Sequence, residues 1–275
     1  MIEVPIPTLH LFQPLDQKLI ELLNSLSYDE WNKPTVARLW TVKDVVAHLL
    51  DGNMRTLAAA QNYNGDPHGA INSYQDLVDY LNKLNADWVK AMKRVSPKTL
   101  IELLEATQKP CIEYYHSLDL WATARFAVSW AGELESKNWF HIAREYTERW
   151  HHQQQIRDAV NKPAIMERRF FYPLIQTFMM ALPHTYQNIP AEDGTLISII
   201  VTGEAGGEWK IRREHSGWKF SDDLGELATT VELDPDTSWK LFTKALQKEE
   251  AVERVKISGD QRLGKPVFKM LSVMA

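Results

Sequence analysis

The apolar residues of this chain change their spacing once, near Asn161-Lys162-Pro163, and that change limits what each part can fold into. Before it they recur every three or four positions, the period of an amphipathic helix. Leu11, Leu15, Leu19, Leu22, Leu23 and Leu26 form one such stripe. Thr41 followed by Asp44 predicts a helix start of the capping-box kind, with Asp in place of the usual Glu or Gln. That helix carries Val42, Val45, Val46, Leu49 and Leu50 inward, with His48 among them. Ser73 opens a third run over residues 74–95. Ser96-Pro97 fits an N-cap with proline at the first helical position, and predicts a helix to about residue 118. A last helix over residues 137–160 stops at Asn161-Lys162-Pro163.

After Pro163 the pattern is mixed. A helical stretch with Phe170, Leu174, Phe178 and Met179 is expected to end near Pro183. Residues 195–202 are rich in β-branched side chains, and residues 208–213 and 229–233 alternate, so all three read as strands. Gly203, Gly206 and Gly207 mark the turn between the first two. Asp234-Pro235 opens an amphipathic helix with Trp239, Leu241, Phe242 and Leu246. A short strand at 255–258 and a closing helix after Gly259-Asp260 complete the chain. Long helices with modest loops predict an up-down four-helix bundle over residues 1–162. Clustered strands and helices predict a smaller α+β domain over residues 163–275.

Composition narrows the partners. Net charge is −5, which argues against a nucleic-acid partner. The single cysteine, Cys111, excludes an internal disulfide and reads as a buried structural thiol rather than a nucleophile. The N-terminus lacks a basic region followed by an apolar run, and no stretch approaches the ~20 apolar residues of a membrane span. A cytoplasmic protein without membrane partner is the expectation.

Three polar residues stand out within the helical pattern. Glu148 and His152 are four apart, one turn above each other on one helix face. A carboxylate and an imidazole so placed can grip one divalent ion, and His48, in an apolar stretch where a polar ring needs a partner, can complete the set. Three protein ligands with a fourth position open is a catalytic zinc arrangement. The competing readings are a core histidine bonded to a backbone carbonyl for His48, and a solvated i,i+4 pair for Glu148 and His152. His151, three residues after Glu148, competes with His152. His141 and Glu145 extend the same stripe, either as partners that support the ligands or simply as surface, and Asp51 can orient an imidazole. Arg55 lies seven residues after His48 on the same face. It is the first candidate for an anionic substrate, with a plain surface arginine as the alternative.

Two segments carry a family resemblance. Leu39-Trp40-Thr41-Val42-Lys43-Asp44-Val45-Val46-Ala47-His48-Leu49-Leu50-Asp51-Gly52 and Arg144-Glu145-Tyr146-Thr147-Glu148-Arg149-Trp150-His151-His152-Gln153-Gln154-Gln155-Ile156-Arg157-Asp158-Ala159 resemble the mycothiol-dependent maleylpyruvate isomerase family, within the DinB-like four-helix metalloproteins. The region after Pro163 resembles a sterol-carrier-like α+β domain through Ala228-Thr229-Thr230-Val231, the helix after Asp234-Pro235, and Ile257-Ser258-Gly259-Asp260. The resemblance implies that His48, Glu148 and His152 bind a divalent metal, usually zinc, with nickel or iron as substitutes. It also implies a low-molecular-weight thiol (mycothiol, bacillithiol or glutathione) and an electrophilic small-molecule substrate. In an isomerase the thiolate adds to a cis double bond, allows rotation and leaves. In an S-transferase the adduct is the product. Two other classes remain open: a metal-dependent hydrolase, which needs no thiol, and a non-enzymatic binder whose pocket is lined by Phe170, Phe171, Phe178, Met179 and Met180.

Overall fold

A computed structural model describes residues 3–63, 65 and 71–273. The helical part holds α1 (Leu9–Asn24), α2 (Tyr28–Trp31), α3 (Val42–Ala60), α4 (Tyr74–Met92), α5 (Pro97–Ser117) and α6 (Asn138–Val160). Their starts follow local chemistry. Ser73 and Ser96 accept the N–H groups of Asp76 and Thr99 at α4 and α5. At α3 the Thr41 hydroxyl accepts from the Asp44 N–H while the Asp44 carboxylate accepts from the Thr41 N–H, satisfying two N-terminal donors reciprocally. Asn161 (φ 54°) ends α6 in the left-handed conformation, and the Lys162 N–H returns to the Arg157 carbonyl.

α7 (Arg168–Met179) and α8 (Leu182–Tyr186) follow, then β1 (Leu196–Val201), β2 (Gly207–Glu214), β3 (Gly217–Phe220) and β4 (Thr229–Leu233). α9 (Pro235–Phe242), α10 (Lys248–Arg254), β5 (Lys256–Gly259) and α11 (Gln261–Gly264) close the chain, with 3-10 turns at Ser129–Ala131 and Lys265–Lys269. The helical first part followed by a small mixed sheet is the fold class expected from the spacing. Three details differ. Pro183 sits in the first turn of α8 rather than ending a helix, since proline at that position loses no hydrogen bond. β3 and α10 are too short to show a period. Leu246 falls outside α9.

The chain forms two compact units, the first from residues 1–122 and 148–164, the second from 123–147 and 165–273. In the first, Leu19, Leu22 and Leu23 of α1, Val42, Val45, Val46 and Leu50 of α3, Leu100 and Leu104 of α5, and Ile156 and Val160 of α6 share one apolar cluster. In the second, the sheet order is β3-β2-β1-β4-β5, with β1 and β4 parallel and the other pairs antiparallel. Register places Ile197, Ile199, Val201, Ile211, Val231 and Leu233 on one face, all buried, and Ser198, Lys210, Arg212, Glu232 and Lys256 on the other. A Cβ on Gly206 would lie 1.9 Å from the Val201 carbonyl oxygen, so the turn after β1 requires glycine there. Phe170, Phe171, Phe178 and Met179 are fully buried in the core of this unit. Among the described residues, no helix is long and apolar enough to cross a membrane.

Leu50 is 0% exposed and Leu39 is 93% exposed. Leu50→Ala is expected to destabilise the fold by about 2–5 kcal/mol through lost burial and a cavity, and Leu39→Ala by less than about 0.5 kcal/mol. Urea unfolding of the two variants checks this.

Candidate metal centre

The site is built from α3 and α6. One ligand atom each from His48, Glu148 and His152 lie within 4.8 Å of one another. His152 Nε2 is 3.5 Å from Glu148 Oε2, as the one-turn spacing on α6 dictates. His48 comes from the middle of α3, seven residues beyond its Thr41 cap. The three residues singled out in sequence therefore converge. His151 and His141 are outside this group among the described residues.

Each imidazole has a distinct environment. His152 is buried, and its Nδ1 is 2.9 Å from Gln155 Oε1. An amide oxygen only accepts, so Nδ1 carries a hydrogen and Nε2 is the nitrogen turned toward Glu148. His48 is held otherwise. The indole of Trp40 packs at 4.8 Å from its ring and 6.3 Å from that of His152, and the two imidazoles meet edge-on at 4.6 Å. His48 Nδ1 is buried without a hydrogen-bond partner among the described residues. The backbone carbonyl of its neighbour Ala47 accepts from Trp88 Nε1 instead. Burial, then the nearby His152, hold the His48 pKa well below the ordinary histidine value, with Arg55 and His151 adding to the effect and Glu148 opposing it. The ring is thus neutral, the form a metal ligand needs.

The donor set fits a divalent ion. Two neutral imidazoles and a carboxylate suit zinc, whose bonds of about 2.1 Å place tetrahedral donors about 3.4 Å apart. The 3.5 Å pair on α6 already has that spacing. The unpartnered Nδ1 of His48 is the kind of buried polar atom that calls for an explanation.

Arg55 is one turn beyond Asp51 on α3. Its Nη2 donates to the Asp51 carboxylate and to Asn85 Oδ1 at 2.8 Å. Asp51 serves the guanidinium rather than an imidazole. Burial raises the Asp51 carboxyl above its ordinary range against the pull of Arg55. Cys111 is fully buried, with its Sγ 3.5 Å from the Asn53 carbonyl, which fits a structural role. Gln155 was not singled out from sequence. Its spacing of three from His152 on one helix face was the available signal.

His141 and Glu145, expected as extensions of the ligand stripe, lie in the second unit with Arg144. Arg144 Nη2 is 3.1 Å from His141 Nδ1, which must accept. Burial, then Arg144, lower the His141 pKa to about 4. A folded value below the unfolded one means that the unfolded chain binds the proton more readily. Stability is therefore whole above pH ~6.5 and falls as pH drops toward 4, by about 3 kcal/mol for this group alone. His141→Gln retains an acceptor for Arg144 and is expected to flatten the acid limb of a plot of melting temperature against pH.

Residues 12–157, more than half of the chain, match the family described as the mycothiol maleylpyruvate isomerase N-terminal domain. The crystal structure of the mycothiol-dependent maleylpyruvate isomerase is similar with a TM-score of 0.55, at 10% identity over 91% of each chain. The crystal structure of a histidine-to-alanine mutant of such an isomerase gives 0.56 at the same identity and coverage. At that identity the likeness is one of fold. No curated protein matches the chain. With this family match over more than half its length, the chain belongs to the mycothiol maleylpyruvate isomerase family.

Proposed function

We propose that this protein is a metal-dependent enzyme that uses a low-molecular-weight thiol to isomerise an electrophilic substrate in the manner of maleylpyruvate isomerase, or to transfer sulfur to one. His48, Glu148 and His152 would hold the ion, with zinc preferred. The observation that carries this reading is the convergence of two imidazoles and a carboxylate within 4.8 Å, from two helices, with no fourth protein donor in the group among the described residues. A bound divalent ion supplies a Lewis acid with an exchangeable position for a thiol sulfur, favouring the thiolate. Mycothiol, named in the description of the family and in the similar structures, is the first thiol to test.

The chain's own residues do the rest. Trp40 covers one side of the histidine pair and limits water there. Arg55 is the substrate-binding residue in this reading. Asp51 and Asn85 fix its Nη2, and its Nη1 and Nε carry further N–H donors in the planar geometry that matches a carboxylate. The Arg55 side chain is 39% exposed, so a solute can reach it.

Three outcomes are expected. Purified protein should carry one divalent ion per chain, and His152→Ala should lose it. Unchanged metal content in that variant would shift the ligand role to His151. Metal-loaded protein should turn over maleylpyruvate or another electrophile only with mycothiol, bacillithiol or glutathione added. Arg55→Ala should raise KM for a carboxylate substrate about 10- to 100-fold, as loss of a charge-assisted hydrogen bond of about 1.5–3 kcal/mol implies. Ester hydrolysis without thiol would instead favour a hydrolase, and copurification of an apolar ligand without turnover would favour a binder.

A further inference from the structure

We infer that Gln155 is a positioning residue that presets the tautomer and orientation of His152, an inference that rests on the metal reading above. Gln155 is buried, three residues beyond His152 on α6, and its Oε1 lies 2.9 Å from His152 Nδ1. The oxygen of an amide has no hydrogen to give. It therefore requires a hydrogen on Nδ1, so that Nε2 is the nitrogen left to an ion, and Nε2 is the atom 3.5 Å from Glu148. Both partners sit on consecutive turns of one helix, so the bond fixes the ring without help from another element. His48 has no such partner on its buried Nδ1. The two histidines are thus unequal: one is aimed before an ion arrives, and the other is held by contact with Trp40.

The choice of an amide has an electrostatic consequence. A carboxylate at position 155 would orient the ring equally well and also add a negative charge beside the ion. Glutamine orients without adding charge. Two neutral imidazoles and one carboxylate leave a divalent ion with a net charge of +1, and Arg55 lies two turns beyond His48 on α3, on the same helix face. The arrangement suits an anionic incoming group, a thiolate or a carboxylate, over a neutral one.

The test uses full-length protein and three forms: wild type, Gln155→Met and Gln155→Glu. Nitrogen-15 NMR of the metal-free wild type is expected to show His152 as the Nδ1–H tautomer, and Gln155→Met to show a mixture. Zinc affinity, measured by competition with a chromogenic chelator, should fall about 10- to 100-fold in Gln155→Met and return to wild-type level or above in Gln155→Glu. Gln155→Glu should then bind a thiolate probe more weakly than wild type. An Nε2–H tautomer in the wild type, or zinc affinity unchanged in Gln155→Met with its melting temperature intact, overturns the inference. If wild type binds no zinc, the metal reading fails by itself, and the tautomer spectrum still decides whether Gln155 sets His152. If Gln155→Met does not fold, the tautomer of His152 in the wild type carries the decision.

Discussion

Arg149 occupies the interior of the helical unit, where a lone guanidinium would cost many kcal/mol, because two other helices each hand it a partner and a third braces one of those partners. Its Nη1 donates to Asp16 of α1 at 2.5 Å, and its Nη2 donates to Asn53 Oδ1 of α3 at 2.9 Å. Asn53 Nδ2 continues to Thr107 Oγ1 of α5 at 2.9 Å. Burial raises the Asp16 carboxyl against the pull of Arg149, so the pair contributes little net stability over an apolar replacement. What it contributes is rotational register. A buried charge tolerates one position of each helix, whereas leucines tolerate several. Arg149 adjoins Glu148 in sequence, so fixing the guanidinium against α1 fixes the face on which Glu148 and His152 project toward α3. The face that α6 turns toward α3 is thereby tied to this network.

Much of the fold is legible in the sequence because its signals are local. Thr41 with Asp44, Ser73, Ser96-Pro97 and Asn161-Lys162-Pro163 each act through hydrogen bonds within a few residues, and the elements start and stop where these residues stand. The helical spacing of Glu148 and His152 is local in the same sense. The convergence of His48 with them is tertiary, set by packing between residues about a hundred positions apart, and spacing alone leaves it open. The same holds for the Asp16–Arg149 pair, 133 residues apart. Short elements such as β3 and α10 hold too few residues to show a period, and tertiary pairing defines them: β3 exists because Arg213 and Arg212 of β2 meet Trp218 and Lys219. Asp51 illustrates a different limit. Its spacing from His48 was compatible with orienting an imidazole, but the same spacing rule places Arg55 a turn away, and the opposite charge wins.

The helix α6 is continuous in backbone but divided in allegiance. Its turns up to Thr147 belong with the sheet unit, where Phe140, Ile142, Ala143 and Tyr146 are buried and the Tyr146 hydroxyl donates to the Phe170 carbonyl at 2.7 Å. Its turns from Glu148 belong with the helical unit. The chain therefore leaves the first unit, enters the second, returns, and leaves again. As the polypeptide emerges during synthesis, the helical unit cannot close its core until residues 148–164 are available. By then residues 123–147 already expose apolar side chains whose partners, α7 and α8 among them, are yet to be made. A cut at any of the three unit boundaries separates a unit from part of itself. The two units are inseparable as genetic modules, and a gene fusion that moved the ligand helix would have to carry part of the sheet unit's core with it.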